Sequence, residues 1–110
     1  MEIVKAIKDS VASLQLKGRF DAHEVEPVQA WMHEQISQGN PKLVINLEGV
    51  NFIDSTALST LVRGMKNCRE KNGDLHLCVL QQSVRVIFEL TRLDKAFDIF
   101  ATEAEAIQAF

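Results

Sequence analysis

The sequence lacks long apolar runs and is poor in the residues that mark unusual classes of protein. No stretch approaches the roughly 20 apolar residues that a membrane-spanning helix needs, and residues 1–10 lack the long uncharged core of a secretory signal. The chain has 2 Pro and 5 Gly among 110 residues, too few for a disordered or low-complexity protein. We therefore expect no membrane insertion and a cytoplasmic location.

An excess of charge of one sign is also missing. The chain has 12 basic and 15 acidic side chains, interspersed along its length, and a formal net charge of −3. Proteins that bind the phosphate backbone of nucleic acids concentrate Lys and Arg on one surface. We therefore expect no nucleic-acid partner.

Cysteine is scarce, with Cys68 and Cys78 as the only two. Two cysteines can form a disulfide, bind a metal or pack in the core as free thiols. Free cysteine is among the most buried residue types, and a reducing cytosol opposes disulfides. We expect two core thiols.

Apolar residues are present in sufficient number for a core. Hydrophobic residues make up 46% of the chain and charged residues 25%, as in ordinary globular proteins. Because domains most often contain roughly 100 to 150 residues, we expect a single domain over residues 1–110.

The hydrophobic pattern of the first half predicts a β-hairpin, a helix and a strand. Residues 2–7 and 11–17 follow the period of half-buried strands, and Gly18 is expected to end the second of them. A helix with Pro27 in its first turn is indicated by four apolar residues at helical spacing, Val28, Trp31, Met32 and Ile36. Residues 43–47 then read as a buried strand covered on both faces.

The second half continues the alternation of helices and strands. An amphipathic helix follows Ser55 and ends by Gly73, and a buried strand is predicted over residues 75–80. Ser83 is positioned to cap a third helix. Residues 97–100 are predicted to form a last short strand.

A terminal helix completes the predicted elements, since Thr102 and Glu105 form a capping-box pattern. We expect this helix to pack on the same core as the others. The element order is ββαβαβαβα, which predicts an α/β fold with right-handed parallel crossovers. The pattern does not specify the order of the strands in the sheet.

The segment Asp54-Ser55-Thr56 lies between a buried strand and a helix, at the end of the strand where α/β proteins often place functional groups. The structural interpretation is that Asp54 or Ser55 caps the helix. The functional interpretation is phosphorylation, because the free amides and dipole of a helix N-terminus favour added negative charge. Both interpretations fit the spacing.

The whole chain resembles the STAS domains of bacterial anti-sigma factor antagonists. The resemblance rests on residues 16–21 (Leu-Lys-Gly-Arg-Phe-Asp), on the strand at 43–47, and on residues 52–58 (Phe-Ile-Asp-Ser-Thr-Ala-Leu). The family fold is a small mixed sheet covered mainly on one face by helices, with an N-terminal β-hairpin followed by βα repeats. The resemblance therefore implies this STAS-type α/β fold.

The resemblance also implies a site. In the family, the serine after the motif aspartate is phosphorylated by an anti-sigma factor that is also a serine kinase, and a serine phosphatase reverses the modification. By motif position this serine is Ser55, with Thr56 as the second candidate. Asp21, Asp54, Ser55, Thr56 and Ala57 are implied to contact the partner. Ala57 stands where many antagonists have glycine, which is expected to stiffen the first turn of the helix.

Other chemistry finds little support in the sequence. The residues two positions before and after Ser55 are not glycines, so no nucleophile elbow is present. His23, His33 and His76 are far apart in sequence and predict no triad or metal cluster. The five glycines are isolated and form no phosphate-binding loop. We therefore expect a non-enzymatic protein without a cofactor or metal.

Two interpretations of function remain open. In the first, the unmodified protein sequesters an anti-sigma factor kinase and so regulates transcription indirectly, and phosphorylation of Ser55 releases the kinase. In the second, the chain is an unphosphorylated scaffold or accessory subunit of a signalling or transporter complex, and Ser55 is only a cap. Basic residues on or near the helix after Ser55 form a solvated face or meet an acidic partner: Arg63, Lys66, Arg69 and Lys71.

Overall fold

The computed structural model describes all 110 residues and contains five strands and four α-helices. The strands are β1 (Glu2–Lys8), β2 (Val11–Phe20), β3 (Lys42–Ile53), β4 (Asp74–Cys78) and β5 (Ile99–Phe100). The helices are α1 (Val25–Ser37), α2 (Ser55–Glu70), α3 (Gln82–Leu90) and α4 (Glu103–Gln108), and a 3₁₀ turn spans Leu93–Lys95. This element order agrees with the predicted ββαβαβαβα pattern.

The five strands form one sheet in the order β1-β2-β3-β4-β5. Strand β1 is antiparallel to β2, and the remaining neighbours are parallel. Each parallel connection contains a helix, as crossovers between adjacent parallel strands require. The result is the mixed α/β sheet with an N-terminal hairpin that the sequence predicts.

Strand β2 does not end at Gly18, which corrects the predicted boundary. The strand continues to Phe20 because Gly18 adopts a φ of +119°, a conformation that glycine tolerates without steric cost. The pairing with β3 shifts register between Gln15 and Lys17 and again between Gly18 and Arg19. At each shift β3 has one residue more than β2, and the last residues of the two strands, Phe20 and Ile53, are paired.

The main core lies between one face of the sheet and helices α1, α2 and α3. In β3, alternate residues Leu43, Ile45 and Leu47 point into it and are fully buried. Trp31 and Met32, two of the apolar residues whose spacing predicts α1, belong to the same cluster. The helices therefore cover this face of the sheet.

Helix α4 packs on the opposite face, which corrects the expectation that it shares the main core. Ala106 and Ile107 join Val11, Val44 and Cys78 in a separate small cluster. Val44 lies between Leu43 and Ile45 in sequence, and successive strand residues point to opposite faces. The sheet is thus covered mainly, though not only, on one face.

Two further predictions concern small residues. Cys68 and Cys78 are free and buried, as predicted, and they lie in different clusters on the two sides of the sheet.

Ser83 does not cap α3, because the cap position is Gln81 and the Ser83 hydroxyl donates instead to the Asn51 carbonyl at 3.0 Å. That contact attaches α3 to β3.

Candidate functional site

The candidate site lies where β2 and β3 end side by side. Phe20 and Ile53 are paired across these strands, and each is followed directly by an aspartate, Asp21 and Asp54. Parallel strands present their carboxyl ends at one edge of the sheet, and loops at that edge commonly carry function. The structure therefore brings together two segments that are separated by more than thirty positions in the sequence.

Asp54 is the N-cap of α2 and uses both of its carboxylate oxygens. Oδ1 accepts a hydrogen bond from the Ala57 amide at 2.9 Å, and Oδ2 accepts one from the Ala22 amide at 2.9 Å. The first bond satisfies a free amide of the helix, as an N-cap does. The second bond joins the loop after β2 to the start of α2.

These hydrogen bonds also set the charge of Asp54. The bond from the Ala57 amide is the main reason that the pKa of the Asp54 carboxyl lies below its ordinary value of 3.8, and the bond from Ala22 adds to the effect, whereas desolvation opposes it. Hydrogen bonds to the ionised form of a carboxyl stabilise that form. Asp54 is therefore a fixed negative charge at neutral pH.

Ser55 is the first residue of α2 and is exposed. Its hydroxyl takes part in none of the hydrogen bonds of the structure, while its carbonyl accepts one from the Ser59 hydroxyl at 2.8 Å. The structural interpretation, that Asp54 or Ser55 caps the helix, is confirmed for Asp54 and wrong for Ser55. The hydroxyl also has no hydrogen-bonded base, which an activated serine nucleophile requires.

Thr56 and Ala57 differ in their exposure. Thr56 is exposed, and its carbonyl accepts a hydrogen bond from the Thr60 hydroxyl at 2.9 Å. Ala57 is fully buried in the main core. The side chain of Ala57 therefore offers no surface to a partner, and the surface at this end of the helix comes from Ser55 and Thr56.

Asp21 orders the loop that follows β2. Its Oδ1 accepts a hydrogen bond from the His23 amide at 3.1 Å, and its Oδ2 lies 3.6 Å from Arg19 Nε. A bond from the amide two residues ahead is typical of an aspartate that starts a turn. Asp21 does not cap α1, because the cap position is Glu24.

An aromatic contact that no pattern in the sequence predicts lies beside this loop. The Arg19 guanidinium lies 3.9 Å from the centre of the Phe52 ring, and the Phe52 residue is 38% exposed. An arginine over an aromatic ring is a stabilising cation–π arrangement. The pair extends the surface around Asp21 with an apolar ring and a positive charge.

A shallow groove beside Ser55 was also missed. Six residues line it: Ser55, Leu58, Ser59, Val62, Arg63 and Leu93. Leu58 and Val62 have the helical spacing typical of an inward face of α2, and Leu58 is only 8% exposed. Leu93 comes from the 3₁₀ turn, and no pattern along the chain connects that turn with Ser55.

Comparison with known proteins gives the family. The protein-family model of the STAS domain matches residues 2–106 of this chain. The chain belongs to the STAS domain family. The Anti-sigma F factor antagonist of Paenibacillus polymyxa is 26% identical over 98 residues, which cover 88% of this chain and 84% of that protein.

Solved structures share the fold. An anti-sigma-factor antagonist (STAS) domain protein from Planctomyces limnophilus superposes with a TM-score of 0.86 at 27% identity, covering 97% of this chain and 96% of that one. The anti-sigma factor antagonist SpoIIAA in its unphosphorylated form superposes with a TM-score of 0.84 at 25% identity, covering 98% of this chain and 95% of that one. The Bacillus protein SpoIIAA has also been solved in its phosphorylated form. These matches confirm the STAS-type fold predicted from the sequence.

None of the helices of this STAS domain is both long enough and apolar enough to cross a bilayer.

Proposed function

We propose that this chain is an anti-sigma factor antagonist switched by phosphorylation of Ser55. The unmodified form binds an anti-sigma factor that is also a serine kinase and so releases a sigma factor. The phosphorylated form releases the anti-sigma factor, and a serine phosphatase restores the unmodified form. The observation that carries the proposal is the exposed Ser55 hydroxyl, which has no hydrogen-bond partner at the start of α2.

Phosphorylation at this position changes the surface and leaves the fold intact. Ser55 is not the cap of α2, so esterification breaks none of the hydrogen bonds of the structure. The amides of the first helical turn favour a phosphate electrostatically. The added charge of about −1.5 to −2 lies next to the carboxylate of Asp54.

The unmodified surface suits a protein partner. Ser55 lines the groove together with Val62 and Leu93, and the loop that carries Asp21 is attached to the start of α2 through Asp54. Burial of an apolar groove with a polar rim is typical of protein interfaces. A phosphate at Ser55 would have to be desolvated in such an interface, which weakens binding.

The relatives support this proposal through their names. The match from Paenibacillus polymyxa is named an anti-sigma F factor antagonist, and matches from Staphylococcus aureus strains are named anti-sigma-B factor antagonists. We propose that the present chain acts in the same way, as a cytoplasmic, non-enzymatic binding protein of one domain.

The test is a binding series with the cognate anti-sigma factor kinase. Wild type and Ser55→Ala should bind the kinase without ATP, whereas Ser55→Asp should bind more weakly. With ATP, wild type should gain about 80 Da, the mass of one phosphoryl group, and Ser55→Ala should not. Ser37→Ala is the control, because Ser37 is an exposed serine at the last position of α1 and does not line the groove beside Ser55.

The outcome separates the two functions. If wild type, Ser55→Ala and Ser55→Asp bind equally and none is phosphorylated, the chain is an unphosphorylated scaffold or accessory subunit. If wild type is phosphorylated on Ser55 and only the Ser55→Ala variant is phosphorylated on Thr56, then Ser55 is the main site and Thr56 is the second site.

A further inference from the structure

Three side chains that can bind a metal meet at the end of the sheet opposite Ser55. Asp74 and His76 are two residues apart on β4 and point to the same face, and Asp98 directly precedes β5 at the neighbouring register position. One ligand atom from each residue lies within 4.8 Å of the other two. The wide spacing of the three histidines in the sequence predicted no metal cluster. This cluster was missed because it contains only one histidine, and its other two members are aspartates.

The ring of His76 is held in one orientation. Its side chain is 5% exposed, and Nδ1 lies 2.8 Å from the Ala106 carbonyl oxygen. Since a carbonyl can only accept, Nδ1 carries the proton and Nε2 of the neutral ring has a free lone pair. Phe110 stacks on the ring at 3.8 Å between centroids, and Phe100 lies at 5.0 Å.

The free nitrogen points at two carboxylates without forming a hydrogen bond to either. Nε2 lies 3.8 Å from Oδ2 of Asp74 and 3.8 Å from Oδ2 of Asp98. A hydrogen bond would require a separation of about 3 Å. The His76 side chain is nearly buried, yet its Nε2 makes no hydrogen bond and faces two carboxylate oxygens; because no fully buried side-chain nitrogen or oxygen lacks a partner, this atom is open to solvent.

The surrounding contacts leave the carboxylate oxygens available. Oδ1 of Asp74 accepts hydrogen bonds from Arg69 Nε at 2.9 Å and from the Leu75 amide at 2.8 Å, which directs Oδ2 toward His76. The side chain of Asp98 is 64% exposed and can rotate at little cost. Arg69 is the one positive group bound to the cluster, and it offsets one of the two negative charges.

We propose that Asp74, His76 and Asp98 form a binding site for a zinc ion. Zinc accepts histidine nitrogen at about 2.0–2.1 Å and carboxylate oxygen at about 2.0–2.2 Å, so two ligand atoms on one tetrahedral ion lie roughly 3.3 Å apart. The three atoms, whose separations in the structure are at most 4.8 Å, must come closer to bind one ion, and the exposed side chain of Asp98 can rotate toward the other two. The fourth position faces solvent and takes water.

The donor set favours zinc over harder cations. Magnesium and calcium prefer sites made only of oxygen, whereas zinc accepts a mixed nitrogen and oxygen set. The bond from Nδ1 to a backbone carbonyl is the usual second contact of a zinc-binding histidine. Cys68 and Cys78 do not compete, because both thiols are buried in core clusters on opposite sides of the sheet.

The site has a structural consequence. It would link β4 to β5, and through the contacts of His76 with Ala106 and Phe110 it would fix α4 and the residues that follow it. It lies beside the start of β3, since Asp74 pairs with Lys42, whereas Ser55 follows the end of β3. Zinc would thus act on the stability of the fold without touching the surface around Ser55.

The experiment is a titration of the full chain with zinc chloride, followed by calorimetry and by the imidazole resonances in NMR spectra. We expect one equivalent to bind, a rise in Tm, and a shift of the Nε2 resonance of His76. Asp98→Asn should weaken binding roughly tenfold or more, and because this side chain is exposed the variant should still fold.

Two controls distinguish this site from surface binding. Glu89→Gln removes one exposed carboxylate elsewhere, and His33→Gln removes an exposed histidine, so both should bind zinc as wild type does. The proposal is overturned if wild type binds no zinc, if Asp98→Asn binds it unchanged, or if His33→Gln weakens binding as much as Asp98→Asn does. None of these results affects the proposal for Ser55.

Discussion

The amide of Ala22 donates a hydrogen bond to Oδ2 of Asp54 at 2.9 Å, across 32 positions of the sequence. The same carboxylate caps α2 through the Ala57 amide. One side chain therefore holds both the loop that carries Asp21 and the helix turn that carries Ser55. The arrangement of the proposed docking surface depends on this contact.

Substitution of Asp54 should separate its two roles. Asn can still accept from the Ala57 amide, but its NH₂ group cannot accept from Ala22, whereas Ala loses both bonds. We expect Tm to fall in the order wild type, Asp54→Asn, Asp54→Ala. In hydrogen exchange, the Ala22 amide should exchange faster in both variants. Unchanged protection of that amide in Asp54→Asn would show that the contact does not hold the loop.

The stability of the protein should fall in acid partly because of Asp54. The pKa of this carboxyl is lowered in the folded chain, chiefly by the hydrogen bond from the Ala57 amide. Its contribution is therefore present above the unfolded pKa and lost as pH falls through the lower folded value. Tm measured between about pH 5 and pH 2 should decline less steeply in Asp54→Asn than in wild type. Parallel curves would contradict this assignment.

Replacement of Ser55 by alanine should have little effect on stability. Ser55 is exposed, is not the cap and makes no side-chain hydrogen bond, so we expect a change within about 0.5 kcal/mol in urea denaturation. Thr102→Ala is the comparison, because Thr102 caps α4 through the Glu105 amide at 3.2 Å and its loss should cost about 1 kcal/mol. A cost for Ser55→Ala as large as for Thr102→Ala would restore Ser55 as a structural residue.

The two thiols should be unreactive in the native protein. Desolvation is the main cause that raises the pKa of Cys68 and Cys78 to about 12, and the thiolate is the reactive form. Ellman's reagent should therefore react slowly with the folded chain and fully, with both cysteines, in denaturant. Rapid reaction of the native protein would mean that one of the two core clusters opens readily. The reaction rates of the Cys68→Ser and Cys78→Ser variants would then show which cluster it is.

Much of the fold could be predicted because its signals are local. The periodicity of apolar residues gave the order of the elements, and the motif around Ser55 gave the family. The boundary at Gly18 was wrong, since its positive φ lets β2 continue where a glycine commonly ends a strand. The assignment of Ser83 as a cap was wrong as well, because that hydroxyl is taken by a carbonyl from another strand.

The sequence by itself determined which segments are helical or extended, which residues are apolar enough for a core, and that a serine stands at the start of α2. These properties depend on residues a few positions apart. The tertiary structure decided the strand order, the face on which α4 packs, the contact of Ala22 with Asp54, and the meeting of Asp74, His76 and Asp98. Each of these depends on how distant segments pair and pack, and no local periodicity encodes that pairing.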